Sequence, residues 1–161
     1  MTVINDIRQA LDAKLQTASG LPALAFQNVK YAQAPRTPHI RVQFIPTSRR
    51  PANRGPSPQH RHQGLYTLTA CTETDKGAGA ALDYVDALLA LFNGSSDVIG
   101  AFHQLITSDG DTFKAADSPS FVSFKTSDTV NVSIDYSESQ SPYEDEPFYC
   151  VPVQVSWYAY E

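Results

Sequence analysis

His39-Ile40-Arg41-Val42-Gln43-Phe44-Ile45 alternates apolar and polar residues without a break. A period of two belongs to a strand with one buried and one solvated face. Ile40, Val42 and Phe44 are expected toward a core, and His39, Arg41 and Gln43 toward water. Residues 64–71 read as a second strand, with Tyr66, Leu68 and Ala70 on one face. Between them runs Pro46-Thr47-Ser48-Arg49-Arg50-Pro51-Ala52-Asn53-Arg54-Gly55-Pro56-Ser57-Pro58-Gln59-His60-Arg61-His62-Gln63. Its prolines and glycine argue against helix or central strand. The expectation is a hairpin carrying a long basic loop over 46–63, too long for a simple turn.

Helical spacing flanks this hairpin. Val3, Ile7, Leu11 and Leu15 recur every four residues, which predicts a helix over 2–18. Residues 23–26 read as a short strand. Ala81, Leu82, Val85, Leu88, Leu89 and Phe92 form a broad apolar face, which predicts a second helix over 75–92. Residues 98–106 fit a short helix or a strand, Asp109-Gly110-Asp111 a turn, and 121–124 and 129–136 strands. Residues 137–147 read as an acidic, Ser-rich loop. The chain closes on an alternating strand over 148–160, where Pro152 points to an edge position or a bulge. Helix, strands, helix, strands is the order of an α+β domain, an antiparallel or mixed sheet packed against two helices.

The chain of 161 residues suits one domain with its own core. No apolar run is long enough to span a bilayer, so no membrane partner is expected, and the first residues lack the pattern of a secretory signal. Two cysteines, Cys71 and Cys150, do not make a disulfide scaffold, and a reducing compartment is the default expectation. The net charge of −5 conceals an asymmetry. Residues 1–72 hold nine Lys/Arg and two acids, or +7; residues 73–161 hold three and fifteen, or −12. Such a division fits head-to-tail contact between copies, a basic face turned to nucleic acid, or a patchwork after folding.

Catalytic patterns are missing. There is no Gly-x-Ser-x-Gly elbow, and neither cysteine has a neighbouring His in sequence. His60-Arg61-His62 lacks further zinc ligands at any usual spacing. Asp109-Gly110-Asp111 lacks the later ligands of a calcium loop. Gly77-Ala78-Gly79 precedes a helix without the Lys-Ser/Thr of a phosphate loop. Neither an enzyme, a cofactor nor a metal is expected. The strongest local signal is the basic loop: Arg49, Arg50, Arg54, His60, Arg61 and His62 lie within fourteen residues and without a carboxylate. Arginine forks suit phosphate and carboxylate recognition, so nucleic acid, a protein partner and plain solvation all remain readings of it. Glu144-Asp145-Glu146 is an acidic run that is either solvated or paired with a basic region of another subunit.

Taken in order, several segments resemble the tail-terminator (tail-completion) family of long-tailed bacteriophages. They are Ala23-Leu24-Ala25-Phe26-Gln27-Asn28-Val29, Pro38-His39-Ile40-Arg41-Val42, Gly64-Leu65-Tyr66-Thr67-Leu68, the helix over 80–92, and Phe148-Tyr149-Cys150-Val151-Pro152-Val153-Gln154-Val155-Ser156-Trp157-Tyr158. The resemblance covers most of the chain, read as one domain over 1–161. It departs between Asn93 and Lys125, and 95–124 is read as an insertion.

The resemblance implies an α+β fold without catalytic residues. It also implies a six-membered ring that caps the finished tail tube, stops addition of tube protein and presents a surface to the head connector. Such a protein sits at the head-proximal end of the tail in the virion, after assembly in the host cytoplasm. Phage DNA passes through its lumen. The basic 46–63 loop is expected at a lumen-facing or inter-subunit position, with Glu144, Asp145 and Glu146 as a candidate partner surface. Alternative readings are another head–tail connector or stopper protein, and a small DNA-binding module that uses the basic loop.

Overall fold

Ile7, Ala10, Leu11 and Leu15 repeat at three- and four-residue intervals, and they are the buried apolar residues of α1 (Val3–Gln16). Asp6 in its first turn and Lys14 in its last complement the helix dipole. The computed structural model describes residues 3–16, 18–29, 37–92, 104–106, 112–114 and 132–160. The second helix, α2 (Gly79–Phe92), buries Ala81, Val85, Leu88 and Phe92. It starts later than residue 75, where the sequence placed it. Asp75 and Gly77 have φ of 66° and 80°, outside the right-handed helical region.

Among the described residues eight strands form one mixed sheet. They are β1 (Ala23–Ala25), β2 (His39–Pro51), β3 (His60–Glu73), β4 (Gln104–Ile106), β5 (Thr112–Lys114), β6 (Val132–Ser139), β7 (Tyr143–Asp145) and β8 (Phe148–Tyr160). The order is β1-β2-β3-β8-β6-β4-β5, with β7 also on β8. Only the β1–β2 pair is parallel among these. The architecture is α+β, as expected. Both helices pack on one sheet face, where Ile40, Val42, Phe44, Tyr66, Leu68, Val153, Val155 and Trp157 form a single core with them. Each such side chain contributes about 1.5–3 kcal/mol on leaving water.

The hairpin departs from its expected form. The arms of β2 and β3 stay paired as far as Pro51↔His60, so the irregular tip is confined to 52–59 instead of filling 46–63. The prolines fit because of where they face. The Phe44 N–H donates to Gln27 Oε1 at 2.9 Å, so even-numbered amides of β2 point away from β3. Pro46 therefore withholds its missing N–H from the outer edge. A bulge between Pro46 and Ser48 then reverses the alternation, and Pro51 also faces outward. The Ala52 N–H donates to the Gln59 carbonyl at 2.7 Å and closes the tip. β1 covers β2 only as far as Arg41, so beyond it, among the described residues, this is an edge strand blunted by proline, a bulge and arginine.

Two further expectations are corrected. His39 does not face water; it is 1% exposed and meets the Phe148 ring edge-on at 4.8 Å. Phe148, which is itself buried, covers the ring on this second sheet face. Residues 137–147 are not one loop, because β6 runs to Ser139 and Tyr143–Asp145 pairs with β8 as β7. Sequence spacing alone leaves the relation of Cys71 and Cys150 open. They face each other across β3 and β8 with Cα atoms 4.2 Å apart and form a disulfide. The alternation set by Phe44 makes this a non-hydrogen-bonded pair, the closer of the two antiparallel kinds.

Pro152 lies on a central strand yet at a local edge. The β6 ladder ends at Ser139↔Val153 and β7 begins at Cys150, so Pro152 falls in the gap. Its carbonyl accepts the Gln140 N–H at 2.8 Å, which places its own missing N–H on the gap side, away from β3. The readings for 98–103, 109–111, 121–124 and 129–131 lie outside the described residues, as does most of 95–124. Residues 104–106 are strand.

Candidate functional site

The two charged clusters sit at opposite ends of the long β2–β3–β8 ladder. At the hairpin end, Arg50 stands opposite Arg61 and Arg49 opposite His62. Arg54 is exposed on the tip, as are Arg49 and Arg50 on the arm. The guanidinium of Arg49 donates from Nη2 to His60 Nδ1 at 3.1 Å; arginine has no acceptor, so this nitrogen of His60 carries no proton in that contact. The Arg61 guanidinium lies over the Tyr158 ring at 4.6 Å, with Tyr160 edge-on to Tyr158 at 5.9 Å. Burial pushes the Tyr158 hydroxyl above its usual range, against a hydrogen bond from the Ser133 hydroxyl, which favours the phenolate. His62 is only 3% exposed and belongs to the interior side of the strand.

Register thus brings five of the six basic residues to one accessible end and sets the sixth, His62, inside. It also creates a like-charge relation that spacing did not reveal. Arg50 and Arg61 form a hydrogen-bonded cross-strand pair on the sheet face away from the helices, with Cα atoms about 5.5 Å apart. Like charges in this position disfavour the hairpin by roughly 0.2–1 kcal/mol. A carboxylate near Arg61 comes from Asp135, which shares an open cavity of about 370 Å³ with Arg61, Gln63, Ser156 and Tyr158.

At the other end, Glu144 and Asp145 are in β7 and Glu146 begins the turn into β8. Asp145 is held by Arg41 at 2.8 Å. Arg41 also donates from Nε to His39 Nε2 at 3.2 Å, and His39 Nδ1 lies 3.1 Å from the Thr37 carbonyl. His39 therefore carries its proton on Nδ1. Burial, followed by the nearby Arg41 charge, lowers its pKa against the opposing effects of Thr37 and Asp145. Sequence reasoning missed two neighbours of the acidic run. Glu73 and Asp75 join Glu144 and Tyr149 around an open cavity of about 240 Å³. The Thr74 N–H donates to the Pro147 carbonyl at 3.0 Å and ties this turn to the β7–β8 turn. No local pattern in the sequence links 73–75 with 144; the β3–β8 pairing does.

Glu144 lies opposite Tyr149 and Arg61 opposite Tyr160, eleven residues apart along β8. That is roughly 36 Å at about 3.3 Å per residue. Among the described residues no three His, Cys, Asp or Glu side chains are grouped to hold a metal ion. No helix among them is long and apolar enough to cross a membrane.

The family model described as phage tail terminator protein matches residues 6–157. The chain is thus a structural protein of the phage tail and a component of the virion. It belongs to the phage tail terminator family. One solved structure that carries no functional name shares the fold, with a TM-score of 0.63 and 15% sequence identity. That likeness covers 98% of this chain and 94% of the other. No curated protein matches.

Proposed function

We propose that this chain, acting as one domain over 1–161, caps the finished tail tube as a six-membered ring. The ring stops addition of tube protein and offers the joining surface to the head connector. It does so at the head-proximal end of the tail, on particles assembled in the host cytoplasm. The observation that carries this reading is the family match across 6–157, nearly the full chain.

The physical character of the surface supports it. The basic hairpin with Arg49, Arg50, Arg54, His60 and Arg61 is available for an inter-subunit or lumen-facing position, where passing DNA lies within reach. Glu144, Asp145 and Glu146 offer an acidic counter-surface. A ring is built from heterologous contacts, in which two different patches of one subunit meet. Charged contacts of that kind weaken with salt, which suits a subunit that assembles at the end of a growing tube.

Light scattering across a concentration and salt series, with negative-stain images of the same samples, tests the reading. A ring of six 17.6 kDa chains, roughly 106 kDa, is the expected species. Adding the protein to growing tail tubes should fix their length. Tubes that grow on unchanged, without bound protein at their ends, would exclude the capping role.

A further inference from the structure

Asp145 is paired with Arg41 within the copy, but the basic hairpin end and the acidic β7 end do not reach each other. The hairpin end and the β7 end are roughly 36 Å apart along β8 at about 3.3 Å per residue. That exceeds three times the screening length of about 10 Å at 0.1 M salt. Arg50 and Arg54 are exposed and make no ion pair among the described residues. Arg50 also stands opposite Arg61, so two guanidinium groups share one sheet face in mutual repulsion. An acidic group placed against them turns that repulsion into attraction, and the guanidinium fork matches a carboxylate. The chain carries such groups at its far end. Glu144 and Glu146 are exposed along β7 and its turn, beside the cavity bordered by Glu73 and Asp75.

We propose that the hairpin of one copy, through Arg50, Arg54 and Arg61, docks on the acidic β7 end of a second copy, through Glu144 and Glu146. The contact is head-to-tail, because the two patches lie at opposite ends of one ladder and each meets its complement only on another molecule. This rests on the ring reading for the presence of neighbouring copies, and it names the surfaces that meet. Lys76 lies near the acidic end and Asp135 near the basic one, so each patch keeps its sign without being uniform.

Charge reversal at each end tests the contact. One variant carries Arg50→Glu with Arg54→Glu; the other carries Glu144→Lys with Glu146→Lys. All four positions are exposed, and circular dichroism checks that both chains fold. At low salt each variant alone should associate about tenfold or more weakly than the natural chain. An equimolar mixture should recover association, since each reversed end then meets an opposite one on the other variant. A chain with all four reversals should also recover it.

Variants that associate like the natural chain would overturn the contact and leave the ring reading standing. Loss without recovery on mixing would also overturn it. If that loss coincides with release of a mixed-sequence DNA duplex by the hairpin variant alone, the hairpin belongs to DNA instead. A natural chain that stays monomeric at every salt and protein concentration overturns the contact outright; tube-length assays then judge the capping role separately.

Discussion

Gly64 and Trp157 face each other across the β3–β8 ladder, and the indole occupies the space that a side chain at position 64 would need. A Cβ there would come within 2.6 Å of Trp157 Cζ2 and 2.9 Å of the Pro46 Cα. Trp157 belongs to the main core. It is 1% exposed and stacks on Phe44 with ring centres 5.2 Å apart. The glycine is therefore required by close approach, at the point where the β2 bulge begins.

Gly64→Ala should destabilise the fold by about 2–3 kcal/mol, as overpacking of a filled core does. Trp157 is the sole tryptophan, so its fluorescence reads the disturbance directly. The expected result is a lower urea midpoint and an altered emission maximum in the folded state. An unchanged midpoint would mean that the indole can move without cost.

The disulfide closes a loop with 79 residues of separation between Cys71 and Cys150. Chain-entropy reasoning assigns a loop of that length about 4 kcal/mol of stabilisation, acting on the unfolded state. Replacing both cysteines by alanine should lower unfolding free energy by about 2–4 kcal/mol. The main core lies on the other sheet face and does not include the pair, so the far-ultraviolet spectrum should keep its native form. Thiol titration of purified particles, unfolded without reductant, would show which state the virion carries.

Tyr66 is a fully buried core residue whose hydroxyl donates to Asp12 Oδ1 at 2.6 Å. Asp12 Oδ2 in turn accepts from Arg8 Nη1 at 2.6 Å. The Tyr66 bond fastens α1 to the middle of β3, and the Arg8 bond, made within the helix, holds the carboxylate in place. Tyr66→Phe removes a donor from a carboxylate that burial already disfavours. The expected loss is about 1.5–3 kcal/mol, the range for hydrogen bonds to charged groups. A double-mutant cycle with Arg8→Ala should show coupling, because both residues act on the same carboxylate. Independent, additive losses would argue that Asp12 is satisfied in another way.

These features differ in how far local pattern revealed them. Residues 39–45 and 148–160 alternate long enough for period two to be plain, and Ile7, Leu11 and Leu15 mark a helix by spacing alone. Pro46 and Pro51 misled because proline excludes a strand only where its nitrogen faces a partner. Which way it faces depends on the bulge at Thr47 and on the short reach of β1. His39 alternates as a surface residue, yet the distant Phe148 covers it. β7 is three residues long, too short to show alternation. The charge asymmetry was legible as a sum. Its division between two ends of one ladder required the register of β3 on β8.

His39 gives the fold a pH dependence whose direction follows from its surroundings. Its pKa lies below the ordinary 6.5, mainly because burial disfavours the charged ring. The Arg41 charge acts in the same direction, while the Thr37 carbonyl and Asp145 oppose it. The unfolded chain therefore binds the proton more readily than the folded one. Stability from this residue is complete above pH 6.5 and is lost as pH falls through the lower folded value. Asp12 acts with the opposite sign in a more acidic window. Burial raises its pKa above 3.8, so its contribution favours the fold at low pH and declines as pH rises through that range. Urea unfolding at pH 7.5 and 5.5 brackets the ordinary imidazole value, and the two effects are told apart by their opposite signs. The natural chain should lose stability between these values, and His39→Gln should lose less. An equal loss in both chains would assign the dependence to other groups, and the Thr37–His39–Arg41–Asp145 chain of contacts would then be indifferent to protons.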